Sequence, residues 1–551
     1  MGSSLINIGI SGLRAHQAAL ATTGHNITNA NSAGYSRQRV EISPQTPQFQ
    51  GSAYLGRGAE LASVTRVHST FVTNQVRLDT AAFAEVEDFL SQIGQLDSLL
   101  ADELTGLVPA LQTFFGSLQA AASDPASIPA RQLVLSETTG LVNRFNTMYD
   151  RLHAQQEGLT DLIGTAAERV SELSQGIGRL NSRIAESAGN GGAVANDLLD
   201  QRDELLRQLS EIVSVSVVPQ SDGQLNVFVG KGQPLIVGGQ ISTLAATAAG
   251  DITLVSSDDR AAQVITSSIA GGQLGGLLEF QDGVLNQALN HLGRIAIAVT
   301  ESVNAVHRQG VTLDGVFGGD VFTAVNDPTL AYQRATPINV GSRPSGALFV
   351  GIADSSQLTA ADYEIRFSLA GDGSFALVRS SDAKVMAEGT TAQGFPVTVA
   401  ADGFEVRIDA GTFRGGDRYR IQPSLHGGRD IAQVVRNARD LALATPVRVQ
   451  TEIGNRGSGI AEPAGVFDIS HPGFSNPGRL TPPLLVHFTS PTTYELLDNT
   501  DPAAPRALDP PVRNQPYVPG IENLLLPGGP GQTRIGSEGS QVGRLPAASQ
   551  S

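Results

Sequence analysis

Between Ser4 and Thr28 the chain runs without proline, and Ile6, Ile10, Leu13, Leu20 and Ile27 fall at alternating steps of four and three, with Gln17 and Gly24 in the two remaining positions. That spacing is a heptad seam, narrower than the apolar face of a globular helix. At about 1.5 Å per residue it predicts a rod of roughly 35–40 Å. The other faces carry Ala, Thr, Gln and Arg14, and a helix this short owes most of its stability to packing. Such an element needs a partner helix.

The helix is followed by Asn26-Ile27-Thr28-Asn29-Ala30-Asn31-Ser32-Ala33-Gly34-Tyr35-Ser36-Arg37. Asn side chains hydrogen-bond nearby backbone and Asn and Gly tolerate left-handed conformations, while Tyr35 supplies an aromatic anchor. Turn chemistry alone reads this stretch as a helix stop. The pattern Leu-x-x-x-Gln-x-x-Leu followed by Asn-x-x-Asn-x-Asn-x-x-Gly-Tyr, carried by Leu13, Gln17, Leu20, Asn26, Ile27, Asn29, Asn31, Gly34 and Tyr35, resembles the amino-terminal signature of bacterial flagellar axial proteins: rod, hook and hook-associated. Ser32-Ala33 stands where that family often has Thr-Pro. The resemblance implies that Ile6, Ile10, Leu13, Gln17, Leu20 and Ile27, with Asn26, Asn29, Asn31, Gly34 and Tyr35, form an assembly interface.

A chain of 551 residues is too long for one core and divides into roughly three or four domains. A formal net charge of −16, with lysine nearly absent and arginine scattered, argues against a nucleic-acid or anionic-membrane partner. With no Cys, disulfides, thiolate metal sites and cysteine nucleophiles are excluded. No run approaches the ~18 apolar residues of a membrane helix, and the first residues lack the pattern of a cleaved secretory signal. The resemblance implies flagellar type III export and an extracellular location.

The fold class expected is mixed α+β and multidomain: an elongated helical bundle or coiled-coil core with inserted all-β domains and an irregular tail. Residues 1–37 are the axial helix and turn, and 38–68 an extended linker with a hairpin. Residues 69–212 form a helical bundle. Within it, Phe83, Val86, Leu90, Ile93 and Leu100 share one helix face, a shorter helix runs Leu104 to Ala122, and a longest one carries Leu141, Phe145, Met148, Leu152, Leu159, Leu162, Ala166, Leu173, Ile177, Leu180 and Ile184 before Gly189-Asn190-Gly191-Gly192. Residues 213–272 are a small β region whose hairpin turns at Asp222-Gly223. Residues 273–310 form a long helix returning to the bundle, with Leu278, Leu285, Leu289, Leu292, Ala296, Val299, Val303 and Val306 on its seam. Residues 311–429 hold a β domain, a sandwich or small barrel with strands around Tyr363–Phe367, Phe375–Val378, Phe404–Ile408 and Tyr419–Ile421. Residues 430–445 are a helix returning to the bundle. Residues 446–551, rich in Pro and Gly, are irregular. Within the axial family, the segments Asn196 to Leu206 and Gly271 to Asp282 resemble the hook-associated proteins in particular.

No His-Glu-x-x-His, P-loop, nucleophile elbow or EF-hand loop is present. The nine His residues are dispersed, His16 and His25 on the amino-terminal helix, His153 on the longest helix, His291 and His307 on a later one and the others single and far apart, whereas a metal site needs converging ligands. Asp197, Asp200, Asp203 and Glu204 cluster on one helix and are candidates for a carboxylate pair or a divalent cation; against this, Arg202 and Arg207 stand at spacings suited to helix-surface ion pairing. Gly230-Lys231-Gly232 lacks the phosphate-loop frame and reads as a turn. No enzyme, cofactor or metal is expected.

The expected function is structural, in the junction between flagellar hook and filament, by helical self-assembly through terminal helices. The implied partners are copies of itself in a helical array, the hook protein, and another hook-associated protein. An export chaperone would bind only through a carboxyl-terminal heptad helix that the resemblance implies and this sequence lacks, which reads as a fragment. Ser3 to Thr28 should therefore be poorly packed in this chain alone. The alternatives are a hook or rod protein, or an extracellular binding protein with a ligand site in its β domain.

Overall fold

The computed structural model describes residues 2–50, 53–100, 106–189, 195–247, 250–256, 262–338, 346–450, 472–474 and 480–518. The start expected for the second bundle helix, the Asn190-Gly191-Gly192 stop and the tail beyond residue 518 lie outside them. Elements run in the order α1 (Gly2–Thr28), β1 (Gln38–Pro44), β2 (Gln48–Gln50), β3 (Ala53–Leu55), β4 (Ala59–Arg66), α2 (Thr70–Leu100), α3 (Leu107–Ser123), α4 (Ile128–Gly189), α5 (Asn196–Ile212), a run of short strands from Val215–Pro219 to Gln263–Val264, then α6 (Gly272–Phe280) and α7 (Asn286–Gln309), followed by a short helix Pro328–Gln333 and further β strands. The class is mixed α+β and multidomain. The chain divides into two units, 1–100 with 153–286, and 101–152 with 287–551. The helical stretch 69–212 is accordingly shared between two units instead of forming one bundle.

In the first unit β1 pairs antiparallel with β4, from Gln38 opposite Arg66 to Pro44 opposite Ala59, and the short β2–β3 hairpin lies between them in sequence. The α4 residues Leu159, Ile163, Ala167, Val170, Ile177 and Ile184 are buried, with Leu206 and Leu209 of α5 and Leu274, Leu277 and Phe280 of α6. Leu162, placed on the seam by the strict heptad, is exposed and its neighbour Ile163 is buried. Further along, Ala166, Leu173, Ile177, Leu180 and Ile184 of the expected seam are buried, with Ala167 and Val170 beside them, so the buried stripe is wider than the strict heptad. The hairpin expected around Asp222-Gly223 pairs Val215 with Val229 and Val217 with Val227; Gly223 sits at φ +83° in its turn.

The expected inner face of α2 is a correction. Phe83, Val86 and Leu90 are exposed, while Arg77, Ala81, Gln92 and Leu96 are buried. The cause is α6, whose glycines bring its backbone onto the polar flank of α2. The Glu85 carboxylate accepts from the Gly271 N–H (3.1 Å), and a Cβ at Gly276 would stand 2.2 Å from the Glu85 carbonyl oxygen. Glycines make the close backbone approach, and beside them the Phe89 ring of α2 meets the Phe280 ring of α6 edge to face at 6.5 Å.

In the second unit, two antiparallel sheets share one core. Strands 335–337, 418–421, 363–367, 374–379 and 385–390 lie in that order in one sheet, and 347–352, 404–410 and 397–401 in the other. Leu348, Val350, Ile365, Phe367, Leu377, Val406, Ile408, Tyr419 and Ile421 fill the space they enclose, so residues 335–421 are one β domain.

The helix expected over 430–445 does not form. After a short turn at Gly427–Asp430 the backbone is extended at Ile431, with one 3-10 turn at Ala438–Asp440. Ile431, Val435, Ala438, Leu441 and Ala442 are buried at helix-like spacing, which is what misled the sequence reading. Their backbone groups are engaged elsewhere: Ala432 O accepts from Thr323 N (2.9 Å), Val321 O accepts from Val434 N (2.8 Å), and Ala444 O accepts from Val311 N (2.8 Å). Arg131, 1% exposed, donates to the carbonyls of Ala438 (3.2 Å) and Leu441 (2.5 Å). Tertiary donors thus replace the helical ladder.

The irregular reading of 446–551 is also corrected over 484–516. Strands Leu484–Ser490, Thr493–Asp498 and Arg506–Pro516 form an antiparallel sheet over a small core of Tyr494, Leu496 and Tyr517. Pro510 and Pro511 forbid a helix but are accommodated in an edge strand, where no ladder partner requires an N–H on the open side.

Candidate functional site

On α1 the seam side chains stand in water. Ile6 is 63% exposed, Ile10 42%, Leu13 60%, Leu20 72% and Ile27 72%, with Gln17 and Gly24 exposed among them. Burying one such aliphatic side chain is worth about 1.5–3 kcal/mol. The opposite face is held: Ala15 is buried, and the Ser11 hydroxyl accepts from Ala59 N–H (3.2 Å) at the start of β4. One side of α1 is therefore fixed to its own chain and the other is open.

The turn after α1 is built around Asn26. Its amide Nδ2 donates to Gln38 O (2.9 Å), and its Oδ1 accepts from Gln38 N–H (2.8 Å) and from the Tyr35 hydroxyl (2.8 Å). One side chain thus pairs with a residue of β1 as a neighbouring strand would. Asn29 caps the helix end by donating to His25 O (3.1 Å), and the rings of His25 and Tyr35 meet edge to face at 5.5 Å. Gly34 has φ +76°, and a Cβ on it would lie 2.8 Å from Glu204 Cβ, so both conformation and contact demand glycine there. Asn31 is exposed on the turn and takes no part in this network.

Against the turn lies α5 with its acidic run. Ser36 N–H donates to Asp200 (3.0 Å), and Arg66 Nη1 bridges Asp200 (2.8 Å) and Asp203 (2.9 Å). Arg77 donates to Asp203 (3.2 Å). Gln38 donates to Asp197 (2.9 Å), His25 lies 3.4 Å from the same carboxylate, and Asn196 donates to Val64 O (2.9 Å). The Arg66 and Asp200 side chains are 8% and 7% exposed, so this is an ion pair shielded from solvent.

The expected surface pairing of the acids with Arg202 and Arg207 holds only for Glu204, which Arg207 grips at 2.7 Å. Arg202 turns into the interior, to Asn181 Oδ1 (3.0 Å) and Gly223 O (2.8 Å). Residues 197, 200 and 203 share the face toward the turn, and 202 lies on the other side.

Burial, reinforced by Asp197 and Asp200, pushes the Tyr35 phenol up. Burial lowers the Arg77 guanidinium despite Asp203, and lowers Arg202 to about 10, with Arg66 and Arg77 repelling it further. Hydrogen bonds from Arg207 hold Glu204 below the ordinary carboxylate range.

A concave space of about 510 Å³ remains between turn and helix, lined among others by His25, Tyr35, Asp197, Gln201 and Glu204. Its carboxylates are engaged by guanidinium, amide and imidazole groups. Among the described residues no three His, Asp or Glu converge as metal ligands. Gly230-Lys231-Gly232 is a turn in which Lys231 donates to Ser267 O (2.9 Å).

The structure thus brings Asn26, Asn29, Gly34 and Tyr35 together and aligns Ile6, Ile10, Leu13, Gln17, Leu20 and Ile27 on one open face. Arg66, Arg77, Gln38 and Asn196 complete the arrangement and were not found from sequence. For Arg66 and Arg77 the signal was an arginine interrupting an otherwise strand-like or apolar stretch, too common to single out, and Gln38 and Asn196 carried none.

Residues 93–322 match the family model described as the flagellar hook-associated protein FlgK helical domain, and residues 339–423 that of the flagellar hook-associated protein 1 D2-like domain. Flagellar hook-associated protein 1 of Salmonella typhimurium is 32% identical over 459 residues, 82% of this chain and 80% of that one. Its namesake in Escherichia coli K12 is 31% identical over 402 residues, 70% and 72%. In fold, the flagellar hook junction protein FlgK from Burkholderia pseudomallei superposes with a TM-score of 0.63 at 24% identity, covering 77% of this chain and 74% of that one.

Proposed function

The chain belongs to the flagellar hook-associated protein 1 family, a structural component of the flagellar hook–filament junction, and on that premise we propose that the open seam of α1 is the surface by which it is built into the junction. Ile6, Ile10, Leu13, Gln17, Leu20 and Ile27 are gripped by another helix within the polymer, and Asn26, Asn29, Gly34 and Tyr35 turn the chain away from that contact, leaving Asn31 exposed on the turn for a neighbouring subunit. The partners are copies of this chain, the hook protein and another hook-associated protein. The protein works outside the cell, in the flagellum, and is exported without a cleaved signal. No helix among the described residues is long and apolar enough to cross a membrane.

The observation that carries this reading is five aliphatic side chains left in water at heptad spacing on a helix whose opposite face is tied down. Heterologous contacts of this kind propagate around a helical lattice. The test is Ile10→Asp with Leu20→Asp in the full-length protein, in cells lacking their own copy. Export should continue, with hooks formed and filaments missing. Normal filaments and swimming overturn the reading.

A further inference from the structure

His307, near the end of α7, is 6% exposed and uses both ring nitrogens. Nδ1 lies 2.7 Å from the Gly319 carbonyl oxygen, and Nε2 lies 2.8 Å from the Ala442 amide nitrogen. A carbonyl can only accept and an amide N–H only donate. The ring therefore carries its single proton on Nδ1 and offers a lone pair at Nε2. There is little room for another arrangement: a Cβ on Gly318 would stand 2.7 Å from His307 Nδ1 and 2.6 Å from Ala442 Cβ.

We propose that His307 is a proton-operated latch: neutral, it holds the extended segment 431–444 against α7 through Ala442; doubly protonated, it sets one N–H against another and lets the segment go. The segment is suited to release, because beyond local turns at Gln433 and Asn437 its backbone carbonyls are held by donors from other elements. Arg131 serves Ala438 and Leu441, Thr323 serves Ala432, Val311 serves Ala444 and Leu313 serves Arg439. Losing Ala442 removes the hold between those at Leu441 and Ala444.

The charged groups around the ring come from each element packed on it. Arg131 of α4 repels a second proton and Asp320 of the following loop attracts it, but Asp320 is already paired with Arg308 at 2.5 Å. On the segment itself Arg439 is paired with Asp314. Burial is the largest influence and lowers the His307 pKa from its ordinary 6.5. A base whose folded value is depressed is protonated more readily once exposed. The latch is therefore fully closed above about pH 6.5, and opening grows about tenfold per pH unit below it until the folded value is reached.

The test is hydrogen exchange on the full chain between pH 8 and 5, corrected for intrinsic exchange. Protection over residues 438–444 should fall about tenfold per unit below pH 6.5, while strand 363–367 is unchanged. His307→Gln should make that protection independent of pH, and His487→Gln, at an exposed strand position, should leave the dependence intact. Because H307Q can fail to fold, a second readout uses the wild-type chain. In an NMR titration the Ala442 amide should shift with the same midpoint as the His307 ring, below 6.5. A dependence that survives in H307Q, vanishes in H487Q, or leaves Ala442 unmoved while His307 titrates overturns the latch.

Discussion

Asn26 and Asp200 are single residues that each join two remote stretches of chain. Asn26 donates to Gln38 O and accepts from Gln38 N–H and the Tyr35 hydroxyl, and Asp200 accepts from the Ser36 amide and Arg66 together. Replacing Asp200 by Asn keeps the shape and leaves Arg66 buried beside a weaker partner. Breaking a buried pair costs about 3–5 kcal/mol, and chemical denaturation of D200N against wild type should show a loss of that order. Glu204 makes a prediction about pH. Its carboxyl is held below the ordinary 4.5 by Arg207, so in acid the unfolded chain takes up its proton first. The contribution is whole above about pH 4.5 and drains away as pH falls through the folded value. Urea midpoints measured from pH 6 to 3 should fall less steeply in Glu204→Gln. The Asn and Gly of the turn were legible because turn chemistry is local. The carboxylate partners were not: Arg66 and Asp200 are 134 positions apart in sequence, and nothing in either neighbourhood names the other.

At the level of elements, periodicity located nearly every helix but chose the wrong inner face for α2. Large apolar residues were taken to face inward, whereas the glycine face of α6 takes the polar flank of α2 instead. Gly276→Ala tests that contact. A methyl group 2.2 Å from the Glu85 carbonyl must push α6 away from α2, and overpacking of this kind costs about 1–3 kcal/mol, readable in the denaturation midpoint. The β strands at Tyr363–Phe367 and Phe404–Ala410 were legible from strict alternation. Residues 431–444 were not, because a buried extended segment and an amphipathic helix can share the same apolar spacing, and what decides between them is the set of donors waiting in other elements. The strand Arg506–Pro516 was hidden by its prolines, which an edge position accommodates.

For the whole molecule, the acidic balance and absence of cysteine narrowed the class of partner, and the motifs placed the chain in its family. The division into two units could not be read, since α4 continues through both without any break in its pattern. Each unit has its own core, and calorimetry should resolve more than one transition. D200N should move one of them. Ile365→Ala, at a fully buried position of the β domain, removes about 2–5 kcal/mol and should move another. If both variants shift one common transition, the units do not unfold separately. The knot of guanidinium and carboxylate groups behind Tyr35 has a mechanical consequence. Only a few residues separate Ile27 on the open face from Ser36 on Asp200, so a pull or torque on α1 reaches α5 almost undamped, and the joint that bears the load is ionic and buried instead of a sliding apolar contact.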